Sequence, residues 1–183
     1  MTDPDSIDHA RSAARQALIS TTRRVGDSLP AFSTWLLAGF GVGFSLLVAN
    51  IDKVTQFIDI RFIRFGLLVF LLSLVIAVAA TYLSAIVKAS LAAQEDAEVM
   101  SKQLIESGRG FDVATFVTEF QRGLLPHIRG LSRRSFEKAL AGDSLAGARM
   151  IAKISQIQAL LVAAQSLLAI VAVASIAFGL KMS

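Results

Sequence analysis

The chain contains no cysteine in its 183 residues and carries little charge. The absence of cysteine excludes disulfide bonds, iron–sulfur clusters and thiolate zinc sites. Asp, Glu, Lys and Arg make up 17% of the residues, whereas soluble domains have about 25%. With 54% hydrophobic residues, this composition indicates one integral membrane domain and leaves no room for a separate catalytic domain.

Residues that perform catalysis are also scarce. The two histidines, His9 and His127, lie outside every long apolar run and have no partner at ligand spacing, which excludes a haem held by two histidines inside the membrane. No phosphate-binding loop, metalloprotease, nucleophile-elbow or EF-hand pattern occurs. We therefore expect a protein that is not an enzyme and that holds no cofactor and no metal.

Three windows without charged residues dominate what is present, namely Ser28–Ile51, Phe65–Val87 and Ile154–Leu180. The second would be roughly 34 Å long as a helix, enough to cross a hydrocarbon core of about 30 Å. A helix buried in a soluble core would show a polar face over such a length, and this one does not. The fold class predicted is an all-α integral membrane protein with three transmembrane helices, a hairpin followed by a C-terminal span, and with a helical cytoplasmic stalk between spans two and three.

The predicted boundaries follow from these windows and from the helix breakers between them. We expect Gly26–Pro30 to break the chain, with Pro30 in the first turn of span one. The second span should continue as a helix beyond Lys88, and Asp143 or Ser144 should cap the last helix. The regions predicted are an amphipathic N-terminal segment (1–29), a hairpin (30–88, with spans at about 30–50 and 65–87 and a link at 51–64), a cytoplasmic helical region (89–153) and the third span (154–181).

The positive charges predict the orientation in the membrane. Of the 18 Lys and Arg residues, fourteen lie before the first span or between the second and third, and four lie on the opposite side. The positive-inside rule then places the N-terminus and the long loop in the cytoplasm and the C-terminus outside. We expect a bacterial inner (plasma) membrane as the location.

The first span carries a candidate helix-packing face at Gly39 and Gly43. These glycines are four residues apart and share one side of a helix, where a second helix can approach closely. Gly41 lies on the other side. The same GxGxG pattern is no nucleotide-binding loop, because no strand precedes it.

The third span carries polar residues in an otherwise apolar run. Gln158 and Gln165 are seven residues apart, and Ala172 and Gly179 extend their row. Glutamine in hydrocarbon is costly unless it finds a partner or water. Either these residues form hydrogen bonds between helices, or they line a pore in which the span faces water. The residues of this predicted polar line are Gln158, Gln165, Ser166 and Ser175.

The predicted cytoplasmic region separates its charges along the sequence. Residues 95–119 contain six acids and two bases, and residues 122–138 contain five bases and one acid. The basic segment is expected to pair with the acidic one in an antiparallel stalk. Alternatively, its basic patch binds the phosphate of an anionic lipid or a nucleotide. The patch comprises Arg129, Arg133, Arg134 and Lys138.

These observations lead to three hypotheses of function. The first is a membrane protein that self-associates through its transmembrane helices, in its sharper form a channel or pore with a cytoplasmic regulatory region. The second is an accessory or assembly subunit of a larger membrane complex. The third is a scaffold that binds anionic lipids or a partner. The partners expected are therefore the lipid bilayer and further protein chains, and not nucleic acid.

Overall fold

Four helices have described bounds in this computed structural model. They are α1 (Pro4–Ala49), α2 (Ile51–Val54), α3 (Ile60–Glu106) and α4 (Ala146–Phe178). The structure describes residues 4–106, 115, 118–119, 122–123, 129–130, 133–135, 137–138, 141, 143 and 145–180. The chain is almost entirely helical, and in these residues the only β-type pairing is an isolated antiparallel bridge between Ile58 and Leu180.

Three of the helices, α1, α3 and α4, are long and apolar enough to cross a membrane. On α4, large apolar side chains are exposed from Ile157 to Phe178, a distance of about 32 Å at 1.5 Å per residue. On α3, the exposed run from Phe65 to Tyr82 covers about 26 Å. Both lengths are close to the roughly 30 Å of a hydrocarbon core, so these exposed side chains indicate a membrane location.

The chain divides into two compact units, and each is described by itself. The first, called here the charged unit, comprises Met1–Arg24 and Ile86–Ser155. The second, called here the apolar unit, comprises Val25–Ala85 and Gln156–Ser183.

The predicted break at Gly26–Pro30 is wrong, because α1 continues through Pro30. Proline removes one backbone hydrogen bond from a helix, but membrane helices tolerate it where neighbouring helices and hydroxyl side chains compensate. Pro30 leaves the carbonyl of Gly26, one turn earlier, without its usual donor, whereas the hydroxyl of Thr34 donates to the carbonyl of Pro30 itself at 2.9 Å. Gly26 and Ser33 are buried on either side of the proline, which keeps this part of α1 packed.

The link between the first two spans is shorter than predicted. Helix α2 has only four residues, and α3 begins at Ile60 rather than near residue 65. Asp59 begins α3 as an N-cap, because its carboxylate accepts the backbone N–H of Arg61 at 2.9 Å. The backbone N–H of Asp59 in turn donates to the carbonyl of Gly179 at 3.0 Å, which ties the link to the end of α4.

Helix α3 confirms the prediction that span two continues past Lys88, since it ends only at Glu106. In the charged unit the carboxylate of Asp143, at the start of α4, accepts hydrogen bonds from the backbone of Leu145 and from the guanidinium of Arg149, both at 3.1 Å. Asp143 is therefore the cap that the sequence predicted. Much of the predicted stalk, in residues 107–144, lies outside the described residues.

The three long helices of the apolar unit alternate in direction. A side chain on Gly66 of α3 would meet Ala172 and Ser175 of α4, and one on Gly179 would meet Phe62. Residue numbers thus rise on α3 as they fall on α4, so the two helices are antiparallel. The core of this unit comprises Phe44, Phe70 and Ala172, with the rings of Phe44 and Phe70 stacked at a centroid distance of 4.5 Å.

Candidate functional site

The predicted packing glycines, Gly39 and Gly43, lie on an open part of α1. A Cβ atom built on Gly39, Gly41 or Gly43 would have no neighbouring atom within 4 Å. Gly39 and Gly43 instead line a cavity of about 340 Å³ in the apolar unit. Its other walls are almost wholly apolar and come from α1, the link and α4: Phe40, Phe44, Leu47, Ile58, Val173, Ile176, Ala177 and Leu180.

The glycines that allow two helices to approach closely within the chain are Gly66 and Gly179. A Cβ atom on Gly66 would lie 2.8 Å from both the carbonyl oxygen of Ala172 and the hydroxyl oxygen of Ser175. One on Gly179 would lie 2.6 Å from the Cβ atom of Phe62. Real Cβ atoms essentially never make such contacts, so these two positions set the spacing of α3 and α4. The sequence analysis placed Gly179 in a row with the glutamines but did not single out Gly66.

The glutamines of the predicted polar line face the interior of the chain. Gln158 is 1% exposed and Gln165 is fully buried, and the two residues that extend their row, Ala172 and Gly179, are buried as well. The seven-residue spacing seen in the sequence therefore marks the inner face of α4. In this structure the row lies inside the unit formed by one chain.

Gln165 connects α4 to α1 by a two-part contact with Ser33. The hydroxyl of Ser33 donates to Oε1 of Gln165 at 2.8 Å. The Nε2 amide of Gln165 lies 3.5 Å from the backbone carbonyl oxygen of Ser33, at the limit of a hydrogen bond. Because both side chains are buried, this contact satisfies groups that would otherwise be costly in hydrocarbon. Of the two roles considered for Gln165, the geometry is that of a hydrogen bond between helices.

The two serines of the predicted polar line are satisfied within α4 itself. Ser166 is half-buried and donates to the carbonyl of Val162 at 2.8 Å. Ser175 is buried and donates to the carbonyl of Ala172 at 2.7 Å. Such bonds to the preceding turn are usual for hydroxyls in membrane helices. Neither serine therefore needs a partner on another helix.

Two buried polar atoms of the apolar unit have no hydrogen-bond partner among the described residues. They are the hydroxyl oxygen of Ser73 on α3 and Oε1 of Gln158 on α4. Ser73 is fully buried. Ser33 and Ser73 are not among the site residues predicted from the sequence, although both are hydroxyl residues inside charge-free runs. The sequence does not show which of these hydroxyl residues contact one another, because those contacts depend on the register between α1, α3 and α4.

The four residues of the predicted basic patch are exposed where the structure describes them. Arg133 pairs with Glu137 one turn further along the chain, and Arg129 donates to the backbone carbonyl of Arg122 at 3.0 Å. Arg134 and Lys138 are exposed as well. Many residues between and around these four lie outside the described ranges, so the proposed pairing with the acidic segment stays a prediction.

One residue of the acidic segment has a partner that the sequence did not suggest. In the charged unit, Glu95 of α3 forms an ion pair with Arg23 of α1. Both side chains are about half exposed. In this structure, therefore, at least one acid of α3 pairs with the N-terminal part of the chain.

Among the described residues, no group of three or more His, Cys, Asp or Glu side chains could hold a metal ion. Comparison with known proteins adds no relationship, since no protein-family model, no curated protein and no solved structure matches this chain significantly. The argument for function therefore rests on the helices and their contacts.

Proposed function

We propose that this chain is a non-enzymatic integral membrane protein that self-associates through helix α1. The observation that carries the proposal is the open face at Gly39 and Gly43, where a Cβ atom would find no neighbour within 4 Å. Of the most apolar 18-residue window of each span, 11% is buried in α1, compared with 28% in α3 and in α4. Helix α1 is thus the span with the most surface left for a partner.

The proposal follows from how helices associate in lipid. Lipid tails are as apolar as leucine side chains, so association depends on close van der Waals packing, which small residues permit. Within this chain, Gly66 and Gly179 already serve that purpose between α3 and α4. Gly39 and Gly43 have no such contact within the chain, so a helix of a second copy can approach α1 closely at these two residues.

The size of the cavity beside the glycines restricts how a second copy could lie. An α-helix is about 10–12 Å wide with its side chains, so one turn occupies more than about 400 Å³. A cavity of about 340 Å³ is too small for a helix but accepts individual side chains. In our proposal, α1 of the second copy lies across Gly39 and Gly43, and its side chains fill the cavity.

The channel form of this hypothesis has weaker support than association itself. A pore lined by Gln158, Gln165 and Ser175 would require these side chains to leave the interior of the apolar unit, where they are buried. We therefore propose association as the function that the geometry favours and keep conductance as a measurement to make on any oligomer obtained.

Association can be tested with three matched substitutions on one helix. Gly39→Ile and Gly43→Ile place a branched side chain on the proposed contact face. Gly41→Ile alters the same residue type on another side of α1, at a half-buried position where a Cβ atom likewise has no neighbour within 4 Å. In liposomes, energy transfer between labelled copies should show a dissociation constant raised at least about tenfold, or about 1.4 kcal/mol, for the first two variants. Gly41→Ile should resemble the unmodified chain.

The alternatives lead to different results in the same preparation. A monomer that co-purifies with a larger complex would contradict self-association and support an accessory subunit. Equal affinity in all three variants would contradict the glycine face as the contact. A monomer whose binding to anionic liposomes is lost when Arg129, Arg133, Arg134 and Lys138 are changed to glutamine would support the lipid-binding scaffold.

We also propose that the charged unit lies on the cytoplasmic side of a bacterial inner membrane and that the C-terminus lies outside. The support is the distribution of Lys and Arg along the sequence, of which fourteen of 18 fall on one side of the three spans.

A further inference from the structure

Besides Oε1 of Gln158, one buried polar atom of the apolar unit has no partner among the described residues, and neither packing nor association explains it: the hydroxyl of Ser73. Its side chain is fully buried, and its hydroxyl has no hydrogen-bond partner among the described residues. Other hydroxyls in α3 and α4 donate to the preceding turn, as Thr81 does to Ala77 at 2.9 Å and Ser166 to Val162 at 2.8 Å. A buried polar group left without any partner costs about 1–3 kcal/mol, so a native chain usually supplies one.

The register of α3 and α4 places Ser73 at the level of Gln165. Gly66 of α3 contacts α4 at Ala172 and Ser175. Ser73 lies seven residues further along α3, which is two turns, on the same face and about 10 Å away. Because α4 is antiparallel to α3, the same distance along α4 leads from Ala172 to Gln165. Both side chains are fully buried, so at this level a hydroxyl of α3 and an amide of α4 each lie on a side of the helix that the rest of the unit covers.

Gln165 has hydrogen-bonding capacity left over at this level. A glutamine amide has two N–H donors and an oxygen that can accept two bonds. Ser33 uses one acceptor position at 2.8 Å, and the carbonyl oxygen of Ser33 is the partner of one donor at 3.5 Å. One donor and one acceptor position therefore have no partner in these two contacts. Ser73 offers a hydroxyl that can both donate and accept.

We infer that a buried water molecule binds between Ser73 and Gln165 and completes a polar junction of all three spans. A water in a protein interior typically makes two to four hydrogen bonds to groups that would otherwise be unsatisfied. Ser73 supplies one such group from α3, and Gln165, held by Ser33 of α1, supplies others from α4. No charged residue lies in Phe65–Val87 or Ile154–Leu180, so a neutral ligand that both donates and accepts fits this junction better than an ion does.

This water site does not depend on self-association, since its three residues belong to one chain. Its role is to fix the relative rotation of the three helices, because each helix can present its polar atom to the water in one orientation only. The site thus gives a role to the hydroxyl of Ser73 and to the hydrogen-bonding capacity of Gln165 that Ser33 leaves unused.

The first test is a crystal structure of the full chain in a lipid phase, at a resolution that shows ordered water. We expect a water within hydrogen-bonding distance of the Ser73 hydroxyl and the Gln165 amide, and its loss in Ser73→Ala. Two results would overturn the inference. One is a Ser73 hydroxyl bonded to a backbone carbonyl of its own helix, and the other is an empty or apolar space between the two side chains.

The second test is a double-mutant cycle on the melting temperature in detergent. If water couples the two residues, Ser73→Ala should lower the melting temperature in the unmodified chain and leave it nearly unchanged in a Gln165→Leu background. Ser166→Ala is the matched control, because Ser166 is satisfied within α4 and its effect should be equal in both backgrounds. Equal shifts for Ser73→Ala in the two backgrounds would contradict the coupling. If Gln165→Leu alone prevents folding, the structural test still applies, because it needs only the unmodified chain and the mild variant Ser73→Ala.

Discussion

The hydroxyl of Ser33 donates a hydrogen bond to Oε1 of Gln165 at 2.8 Å, across 132 residues of sequence and inside the apolar unit. This contact joins the first span to the last. It also turns one side of α4 inward, together with the buried Gln158 and Ala172 of the same row. A polar residue in a transmembrane segment here specifies which faces of two helices meet.

The first prediction concerns the strength of this bond. In Ser33→Ala, Oε1 of Gln165 loses its donor while it stays buried. Hydrogen bonds between helices of a membrane protein average about 0.6 kcal/mol and reach about 1.7 kcal/mol. We expect a loss of stability in that range, measured by reversible unfolding in mixed micelles. The matched control is Ser20→Ala, an exposed hydroxyl bonded only to its own helix, which should change stability little. Equal losses in the two variants would contradict the role given to Ser33.

The second prediction separates two classes of glycine. Gly66→Ala and Gly179→Ala force a methyl group into contacts of 2.8 and 2.6 Å, so α3 and α4 must move apart. Overpacking of this kind costs about 1–3 kcal/mol. A Cβ atom on Gly39 has no neighbour within 4 Å, so Gly39→Ala should cause no loss and, through helix propensity, raise monomer stability by up to about 1 kcal/mol. Thermal unfolding of the three variants in one detergent is the measurement. A similar change in all three would contradict the distinction between the two classes of glycine, and no loss in Gly66→Ala and Gly179→Ala would show that the α3–α4 spacing is adaptable.

The third prediction uses the only tryptophan of the chain as a reporter. Trp35 is 79% exposed and lies one turn before Gly39 on the same row of α1. We expect its fluorescence to be quenched by brominated lipids and hardly by iodide in water. If association covers this row, Gly39→Ile should increase the quenching by lipid at a fixed ratio of protein to lipid. Strong quenching by iodide would contradict the placement of α1 in the membrane.

The fourth prediction tests the orientation, and the absence of cysteine makes it simple. Asp52 of α2 and Gln103 of α3 are both exposed, and they lie on opposite sides of the second span. In the proposed orientation, a maleimide that cannot cross membranes should label Asp52→Cys on intact spheroplasts and should label Gln103→Cys only after lysis. The reverse pattern would invert the topology, and labelling of both before lysis would contradict a span between them.

The fifth prediction concerns the ion pair between Arg23 and Glu95. Because both side chains are about half exposed, the pair should contribute only about 0.2–1 kcal/mol and should weaken with salt. Arg23→Glu should therefore lower stability slightly at low ionic strength, and the exchanged pair Arg23→Glu with Glu95→Arg should restore it. An exchanged pair that is no more stable than Arg23→Glu would show that the contact contributes nothing.

The three spans and the long continuation of α3 could be predicted from the sequence, because apolar length and the absence of helix breakers are local properties. The inward face of α4 could be predicted in part, since Gln158 and Gln165 repeat after two turns. The course of α1 could not, because proline usually ends or kinks a helix, whereas here α1 continues through Pro30 between the buried Gly26 and Ser33.

The contacts between helices could not be predicted from the sequence either. Gly66 stands alone in its span, without the four-residue spacing that drew attention to Gly39 and Gly43. Its importance depends on which residues of α4 lie opposite, and that register is a property of the folded chain. For the same reason, the sequence did not predict that Ser33 contacts Gln165. It also did not predict that Ser73 lies at the same height along the helices as these two residues.

The fit at Gly66 and Gly179 also bears on how this protein can change over generations. A backbone atom or a Cβ atom stands where any side chain would begin at these two sites. A lineage that lost either glycine would have to widen the α3–α4 interface, with the loss of stability expected for Gly66→Ala and Gly179→Ala. Distant relatives should therefore be sought by these two isolated glycines, one on α3 and one directly after α4. The more visible run from Gly39 to Gly43 should be free to diverge wherever the surface that it contacts has diverged with it.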